Sequence, residues 1–195
     1  LALGGLSTVW GSAMLPYAQQ DIADWPITTA QLAPHYRAVV ETTGLAAAHD
    51  ELEELFPLHT ETFGQLNLSR QARTIQTAMT RHHTALRAAG FRHGRARIAI
   101  RATGSGRKPE CIHCGHCMYG CAYGCIYCSA DTITEWQNHP NFTYQSDVIV
   151  SSVAESGEKV FIRGHKRGTA EAIEFQANRV FLAAGVIPTT GILLR

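Results

Sequence analysis

Six cysteines constrain this chain more than any other feature. All of them fall within residues 111–128 of a 195-residue sequence. Disulfides in small secreted domains are spread along the chain and close long loops, whereas every loop closed here would be short. We therefore interpret the cluster as a metal site. Its candidate ligands are Cys111, Cys114, Cys117, Cys121, Cys125 and Cys128.

The first four cysteines have the spacing C-x2-C-x2-C-x3-C, by which bacterial ferredoxins wrap an iron-sulfur cluster. Gly115 and Gly120 are expected to permit the tight backbone turns that such wrapping needs. Ala122 stands where ferredoxins carry Pro, and the fourth cysteine of their motif ligates a second cluster. The fourth ligand is therefore open among the last three cysteines, and a three-iron cluster is a further option.

Two other metal chemistries fit the same segment. A structural zinc site could use C-x2-C pairs with His113 or His116, which we otherwise expect to be bystanders. The last three cysteines form C-x3-C-x2-C, which resembles the radical S-adenosylmethionine signature. That family sets its motif in a repeating βα barrel, and the surrounding sequence lacks such alternation. We favour an iron-sulfur cluster, with zinc as the alternative cofactor.

Charge is distributed unevenly. Residues 1–61 have a net charge of −7, residues 62–109 of +10 and residues 110–195 of −2. The basic segment is expected to pair with the acidic first third or to hold phosphates or acidic substrates. Phe91 is the one aromatic residue in positions 64–109, so a base-stacking surface is not expected. A zinc-structured nucleic-acid-binding module is the competing, noncatalytic function.

Hydrophobic periodicity predicts helices before and β-strands after the cysteines. One helix is predicted from an N-cap at Thr29 to Gly44, and a longer one from Ser69 to Gly90. A strand is predicted at residues 97–101 and helical turns at 131–137. A β-meander is predicted at 142–153, 160–163 and 170–175. A buried strand follows at 179–182, running into small residues up to Gly185, and a helix is predicted from 186 to 195.

Three separated segments resemble, in order, the glucose-methanol-choline (GMC) flavoprotein oxidoreductases, and within them the bacterial sugar and polyol dehydrogenases with a Cys-rich insert. The segments are GGLSTVWG at residues 4–11, DWPI and LAPHY within 24–36, and NRVFLAAGVIP at 178–188 followed by Leu193 and Leu194. The resemblance implies a mixed α/β (α+β) chain that forms part of an FAD-binding, Rossmann-like domain with inserted helical and Cys-rich segments.

The resemblance also implies a division of the chain and a set of cofactor contacts. The expected parts are an FAD-contacting loop at 1–28, a helical, basic insert at 29–109, the Cys-rich segment at 110–130, and a β-meander with a strand-helix return at 131–195. Val9 stands where related pyranose oxidases carry a flavin-linking His, so FAD is expected to be noncovalent. The implied FAD contacts are Gly4, Gly5, Ser7, Thr8, Trp10, Val150, Ala183, Ala184 and Gly185.

By resemblance, the function is that of part of an FAD-dependent dehydrogenase that oxidises an alcohol or sugar hydroxyl to a carbonyl. The cluster would relay electrons to an external acceptor. The expected location is cytoplasmic, or periplasmic if a preceding segment carries an export signal, with no membrane span. The chain reads as an inactive fragment without a catalytic residue of its own.

That expectation rests on two absent family motifs. The sequence lacks a strand followed by G-x-G-x-x-G, and it lacks the closing His with a second His or Asn. The Gly-Ser-Gly at residues 104–106 has no strand-to-helix context and does not replace the first motif. The catalytic base is therefore expected beyond residue 195. The remaining candidates are expected to be surface histidines: His82, His83, His139 and His165.

Overall fold

The computed structural model divides the chain into two compact units, residues 1–136 and 137–195, and describes residues 3–102 and 109–194. The predicted Gly-rich stretch at 104–106 lies outside the described residues. Helices and a small antiparallel sheet make the fold a mixed α/β one, as expected. The elements are α1 (Thr29–Thr43), α2 (Arg70–Arg81), α3 (His83–Ala88), α4 (Ser129–Trp136), β1 (Val148–Ser156), β2 (Lys159–Lys166), β3 (Ala172–Ala177) and α5 (Val186–Leu193).

Helix α1 begins one residue earlier than predicted. The N-cap is Thr28, whose hydroxyl accepts a hydrogen bond from the backbone N–H of Gln31. The Gln31 side chain in turn accepts from the Thr28 backbone N–H at 2.8 Å, which completes a capping box. The predicted stop is confirmed, since Gly44 follows the helix with φ of 71°.

The predicted helix between Ser69 and Gly90 is broken in the middle. Ser69 caps α2 as predicted, because its hydroxyl accepts from the backbone N–H of Ala72 at 3.1 Å. The backbone then leaves helical geometry at His82, and α3 continues the chain. Gly90 ends α3 with φ of 85°, and the N–H of Phe91 donates to the Leu86 carbonyl, as in a Schellman motif.

Residues 97–101 run extended through the first unit, but the predicted strand is reduced to isolated bridges. Ile98 bridges to Ala13 and Ala46, and Ile100 bridges to Ile126. Each neighbour meets this segment for only one residue pair, so a continuous ladder does not form. The segment is nonetheless buried, with Ala99 fully inaccessible.

The cysteine segment belongs to the core of the first unit. Ala46, Ile100, Cys125 and Ile126 form one buried cluster. Trp10, Leu66, Ile98, Ala102, Cys111 and Cys121 pack around it. The candidate metal segment is therefore built into the fold.

The acidic first third and the basic segment pair with each other, as expected. Arg97 donates to Asp50 at 2.8 Å, and its side chain is 2% exposed. Arg87 lies 2.7 Å from Glu54, which also meets Arg92. These pairs join three of the ten cations of residues 62–109 to carboxylates of the first third.

The second unit contains the predicted meander. Strands β1, β2 and β3 pair in sequence order, all antiparallel. Strand β1 begins at Val148, later than the predicted 142, and a bulge interrupts its register between Val150 and Ser152. Helix α5 confirms the predicted C-terminal helix.

The predicted buried strand at residues 179–182 is wrong. Those residues adopt no regular structure, and Phe181 is 90% exposed. A buried strand needs hydrogen-bonding neighbours, and no strand of the described chain pairs with this segment. Within residues 3–102 and 109–194, no helix is long and apolar enough to cross a membrane.

Candidate functional site

The cysteine segment curls through a series of left-handed backbone positions. Gly115 and Gly120, the two predicted turn positions, have φ of 74° and 88°. Gly124 has φ of 59° and His113, a rarer case for a residue with a side chain, 58°. A single 3-10 turn, Cys117–Tyr119, separates the two predicted glycines. The curled path turns successive cysteines toward a common space.

That space is a cavity of about 530 Å³. It is lined by five of the six cysteines, namely Cys111, Cys114, Cys117, Cys121 and Cys125. Ile98, Ile100 and Ile126 contribute apolar walls, while His113 and His116 also border it. Cys114 and Cys117 are themselves exposed, so the cavity is open to water on their side.

Cys121 is prepared to carry negative charge. Its sulfur accepts from the backbone N–H of Cys125 at 3.3 Å, and the amides of Ile126 and Tyr123 point to it as well. Burial opposes the thiolate, but these amides outweigh it, so the pKa of Cys121 lies below its ordinary value. A thiolate held in this way is the form that binds metal.

Cys125 has the opposite character. It is 3% exposed, and its thiol donates to the carbonyl of Pro109 at 3.6 Å. Burial, together with the neighbouring sulfurs of Cys121 and Cys111, raises the pKa of Cys125 to about 11. The charge of Arg101 acts in the other direction without cancelling the effect. Cys125 is therefore a neutral core thiol in this arrangement.

Cys128 does not border the large cavity and faces the opening loop, where its sulfur accepts from the Ser7 hydroxyl at 3.8 Å. A second cavity, of about 210 Å³, is bordered by Cys128 and by two cysteines of the larger one, Cys117 and Cys121. Its other walls include three predicted flavin-contacting residues, Ser7, Thr8 and Trp10. The structure thus brings the opening loop and the cysteine segment to one space, although 107 or more residues separate them in sequence.

Hydrogen bonds hold the opening loop against the start of α4. The hydroxyls of Ser7 and Ser129 lie 2.8 Å apart, and Ser129 also donates to the Gly4 carbonyl at 3.1 Å. The indole N–H of Trp10 donates to the Tyr127 carbonyl at 2.9 Å. Gly4 has φ of 84°, and a Cβ there would lie 2.9 Å from the backbone nitrogen of Ala130.

The donor arrangement was tested against the two candidate metal groups. In the described part of the chain, no three His, Cys, Asp or Glu side chains are placed to hold one metal ion. Zinc requires such closeness, because each Zn–S bond is about 2.3 Å. Five cysteines around one cavity form a thiolate donor set that either group could use.

The other predicted flavin contacts belong to the second unit. Val150 lies half-buried in β1, next to the bulge. Ala183 and Ala184 are exposed in the segment that precedes α5, and Gly185 is the N-cap of that helix with φ of 89°. Each compact unit therefore carries part of the predicted set.

The predicted surface histidines are mostly exposed. His82, His83 and His139 are exposed, whereas His165 is half-buried in β2.

One residue beside the cysteines was not predicted. Arg101 hydrogen-bonds through its backbone to both Cys111 and Cys125. Arg101 lies ten residues before the first cysteine. The one sequence signal that could have pointed to it is the alternation of bases with Ala and Ile at residues 97–101.

Comparison with known proteins adds no relative to this picture. No family model matches the chain, and no curated protein is significantly similar to it.

Proposed function

We propose that this chain forms part of an FAD-dependent dehydrogenase that oxidises an alcohol or sugar hydroxyl to a carbonyl and passes the electrons through an iron-sulfur cluster. The observation that carries the proposal is the small cavity bordered by both Ser7, Thr8 and Trp10 of the opening loop and Cys117, Cys121 and Cys128 of the cysteine segment. A relay requires its donor and acceptor sites to be adjacent, and this cavity is where the two candidate sites meet.

The cluster ligands in this proposal are Cys111, Cys114, Cys117 and Cys121. These four have the ferredoxin spacing and line one cavity. Cys125 is assigned to the core as a neutral thiol. A radical S-adenosylmethionine site would instead use Cys121, Cys125 and Cys128. Cys128 shares the small cavity with Cys121 and another cavity with Cys125, but the three do not border one of these cavities together.

The flavin-side residues are assigned by the GMC resemblance. In the first unit, Gly4, Gly5, Ser7, Thr8 and Trp10 would lie along FAD. In the second unit, the same resemblance implicates Val150, Ala183, Ala184 and Gly185. When bound, FAD takes up a hydride and a cluster moves electrons one at a time. The chain's own part is to hold the opening loop through Ser7 and Trp10 and to gather the cysteines around one cavity.

The balanced reaction releases two protons and two electrons for each hydroxyl oxidised. The hydroxyl-bearing carbon loses its hydrogen with the electron pair, and the hydroxyl loses its proton. An external one-electron acceptor must turn over twice for each substrate molecule. Such stoichiometry suits a dehydrogenase that has a single-electron relay.

The competing nucleic-acid module receives less support from the charges. Arg87, Arg92 and Arg97 are bound to carboxylates of the first unit. Phosphate binding needs cations that are free to replace counterions. These three cations are engaged in holding the fold together, whereas three arginines of α2, at positions 70, 73 and 81, are exposed.

The test uses the protein that carries this chain, purified without oxygen. We expect bound flavin, iron and sulfide, together with reduction of ferricyanide that depends on an added alcohol or sugar. In the Cys121→Ser variant, substrate is expected still to bleach the flavin absorbance, while ferricyanide reduction falls at least tenfold. Absence of flavin, or full dye reduction by Cys121→Ser, would contradict the proposal.

A further inference from the structure

We propose that the exposed basic face of α2 is the docking surface for an acidic protein that carries electrons one at a time. The inference rests on the proposed function, because it names the kind of external acceptor that would receive electrons from the cysteine site. The basic face is defined by three arginines: Arg70, Arg73 and Arg81.

The three arginines share one side of the helix. At 3.6 residues per turn, positions 70, 73 and 81 fall within an arc of about 80° and span about 16 Å along the helix axis. All three residues are exposed. The half-buried residues of α2 lie on the other side: Ala72, Gln76 and Met79. The helix therefore presents a row of cations to solvent.

The fold does not neutralise this row. The carboxylate pairs of the basic segment use arginines that follow α2, and within the described residues none of these pairs includes an arginine of α2. Arg73 donates to the Leu68 carbonyl at 3.5 Å, which leaves its charge uncompensated. No acidic residue occurs at positions 62–109. The basic face is therefore complementary to an anionic partner.

Helix α2 starts at the rim of the large cysteine cavity. The four residues before Arg70, residues 66–69, all line that cavity. Cys114 and Cys117 line it as well and are exposed. A protein that binds at the start of α2 therefore comes close to the cysteines that are open to solvent. That is the position from which a carrier can accept an electron.

The side chains next to these cysteines favour a protein as the anionic partner. Met118 and Tyr119 follow Cys117 in sequence and are 75% and 91% exposed. Arg, Met and Tyr are enriched at protein–protein interfaces. A single-stranded nucleic acid would stack its bases on aromatic residues among the cations, but the sequence of α2 contains no aromatic residue.

The experiment compares two forms of one carrier that differ in charge. Mitochondrial cytochrome c is basic, and succinylation of its lysines makes it acidic while keeping its haem. Binding of each form, and its reduction when an alcohol or sugar is added, are measured at low ionic strength with the protein that carries this chain, purified without oxygen. We expect the succinylated form to bind about tenfold tighter than the native form, and added salt to remove the difference.

The variant that tests the basic face combines Arg70→Gln, Arg73→Gln and Arg81→Gln. It is expected to bind the succinylated cytochrome about tenfold more weakly than the unaltered protein and to reduce it more slowly at a given concentration. Added substrate is expected to bleach its flavin absorbance as in the unaltered protein, because the flavin-side residues are unchanged.

The matched control combines Arg37→Gln, Arg163→Gln and Lys166→Gln, which removes three exposed cations outside α2. It is expected to bind the succinylated form as the unaltered protein does. Equal binding by the two triple variants, or equal binding of the two cytochrome forms, would overturn the docking surface alone. Tighter binding of a labelled DNA duplex than of the succinylated form would assign the face to nucleic acid and overturn the inference. Binding without reduction would overturn the carrier role and the proposed relay with it.

Discussion

Ser7 and Ser129 meet with their hydroxyl oxygens 2.8 Å apart across 122 residues of sequence. The same Ser7 oxygen accepts from the Ser129 backbone N–H at 3.0 Å. This contact seats the opening loop on the first turn of α4, directly after Cys128. The link between the candidate flavin loop and the cysteines is therefore a specific polar contact between side chains.

Ser129→Ala removes the bonds from this hydroxyl to Ser7 and to the Gly4 carbonyl. We expect a loss of about 1–2 kcal/mol in the free energy of unfolding. Without this contact, the opening loop is expected to move away from α4 and expose Trp10 to water. Fluorescence in a background with Trp25 and Trp136 replaced by Phe measures this as a red shift.

Ser151→Ala is the control for the serine prediction, because that hydroxyl donates to the Arg163 carbonyl in the second unit. It is expected to leave the emission of Trp10 unchanged. An unshifted spectrum in Ser129→Ala would show that the loop does not depend on this contact.

Gly4 and Gly5 form a natural pair for a steric test. Both have positive φ, but only at Gly4 does an added Cβ meet close neighbours, among them the Cys128 sulfur at 3.3 Å. Gly5→Ala is expected to cost about 1 kcal/mol from backbone strain alone. Gly4→Ala is expected to cost clearly more, because Ala130 must also move. Equal losses in urea unfolding would argue against the close approach.

The local signals in the sequence predicted several elements correctly. Ser69 and Gly90 mark real helix ends, since a cap and a left-handed stop act through neighbouring residues only. His82 interrupts the helix between them, and no local signal announces that break. The strand predicted at 179–182 failed because burial of a strand depends on neighbours that a periodicity cannot supply.

The sequence nominated cysteines that line one cavity, but it did not predict how they are arranged there. Cysteine spacing identifies candidates, because ligands close in sequence must curl around one group. The different states of Cys121 and Cys125 depend on amides and burial that spacing does not reveal. Likewise, the contact between Ser7 and Ser129 joins residues that are 122 positions apart, so local sequence patterns do not predict it.

Asp50 should make stability sensitive to acid. Burial would raise its pKa, but hydrogen bonds from the Arg97 side chain and the Arg95 backbone outweigh burial, so its pKa lies below the ordinary 3.8. A carboxyl whose folded pKa is lowered stabilises the fold above its unfolded pKa, and this contribution is lost as pH falls through the folded value. Unfolding free energy is therefore expected to drop below about pH 3.8.

Asp50→Asn is expected to cost about 3 kcal/mol at neutral pH, because Arg97 is left buried without its counterion. The variant is also expected to have a shallower acid dependence in urea titrations. The remaining slope comes from Glu51 and Glu54, whose pKa values are lowered as well. An unaltered slope would contradict the assigned role of Asp50.

Cys125 and Cys121 are expected to respond differently to replacement. Cys121→Ala removes a proposed cluster ligand and is expected to lower iron content at least fivefold. Cys125→Ala removes only a core thiol, so iron is retained while stability falls by about 1 kcal/mol. Iron analysis with a parallel urea titration checks both. If Cys125→Ala loses iron and Cys121→Ala retains it, Cys125 is the ligand and Cys121 is the core thiol.

The central claim is that the cysteines hold an iron-sulfur cluster, and metal analysis tests it most directly. The measurement is iron, zinc and acid-labile sulfide per chain, with a visible spectrum, on protein expressed and purified without oxygen. We expect iron and sulfide in matching amounts and broad absorbance in the blue that disappears in Cys111→Ala, Cys114→Ala and Cys117→Ala. Zinc without sulfide would contradict the relay and leave a structural metal site in its place.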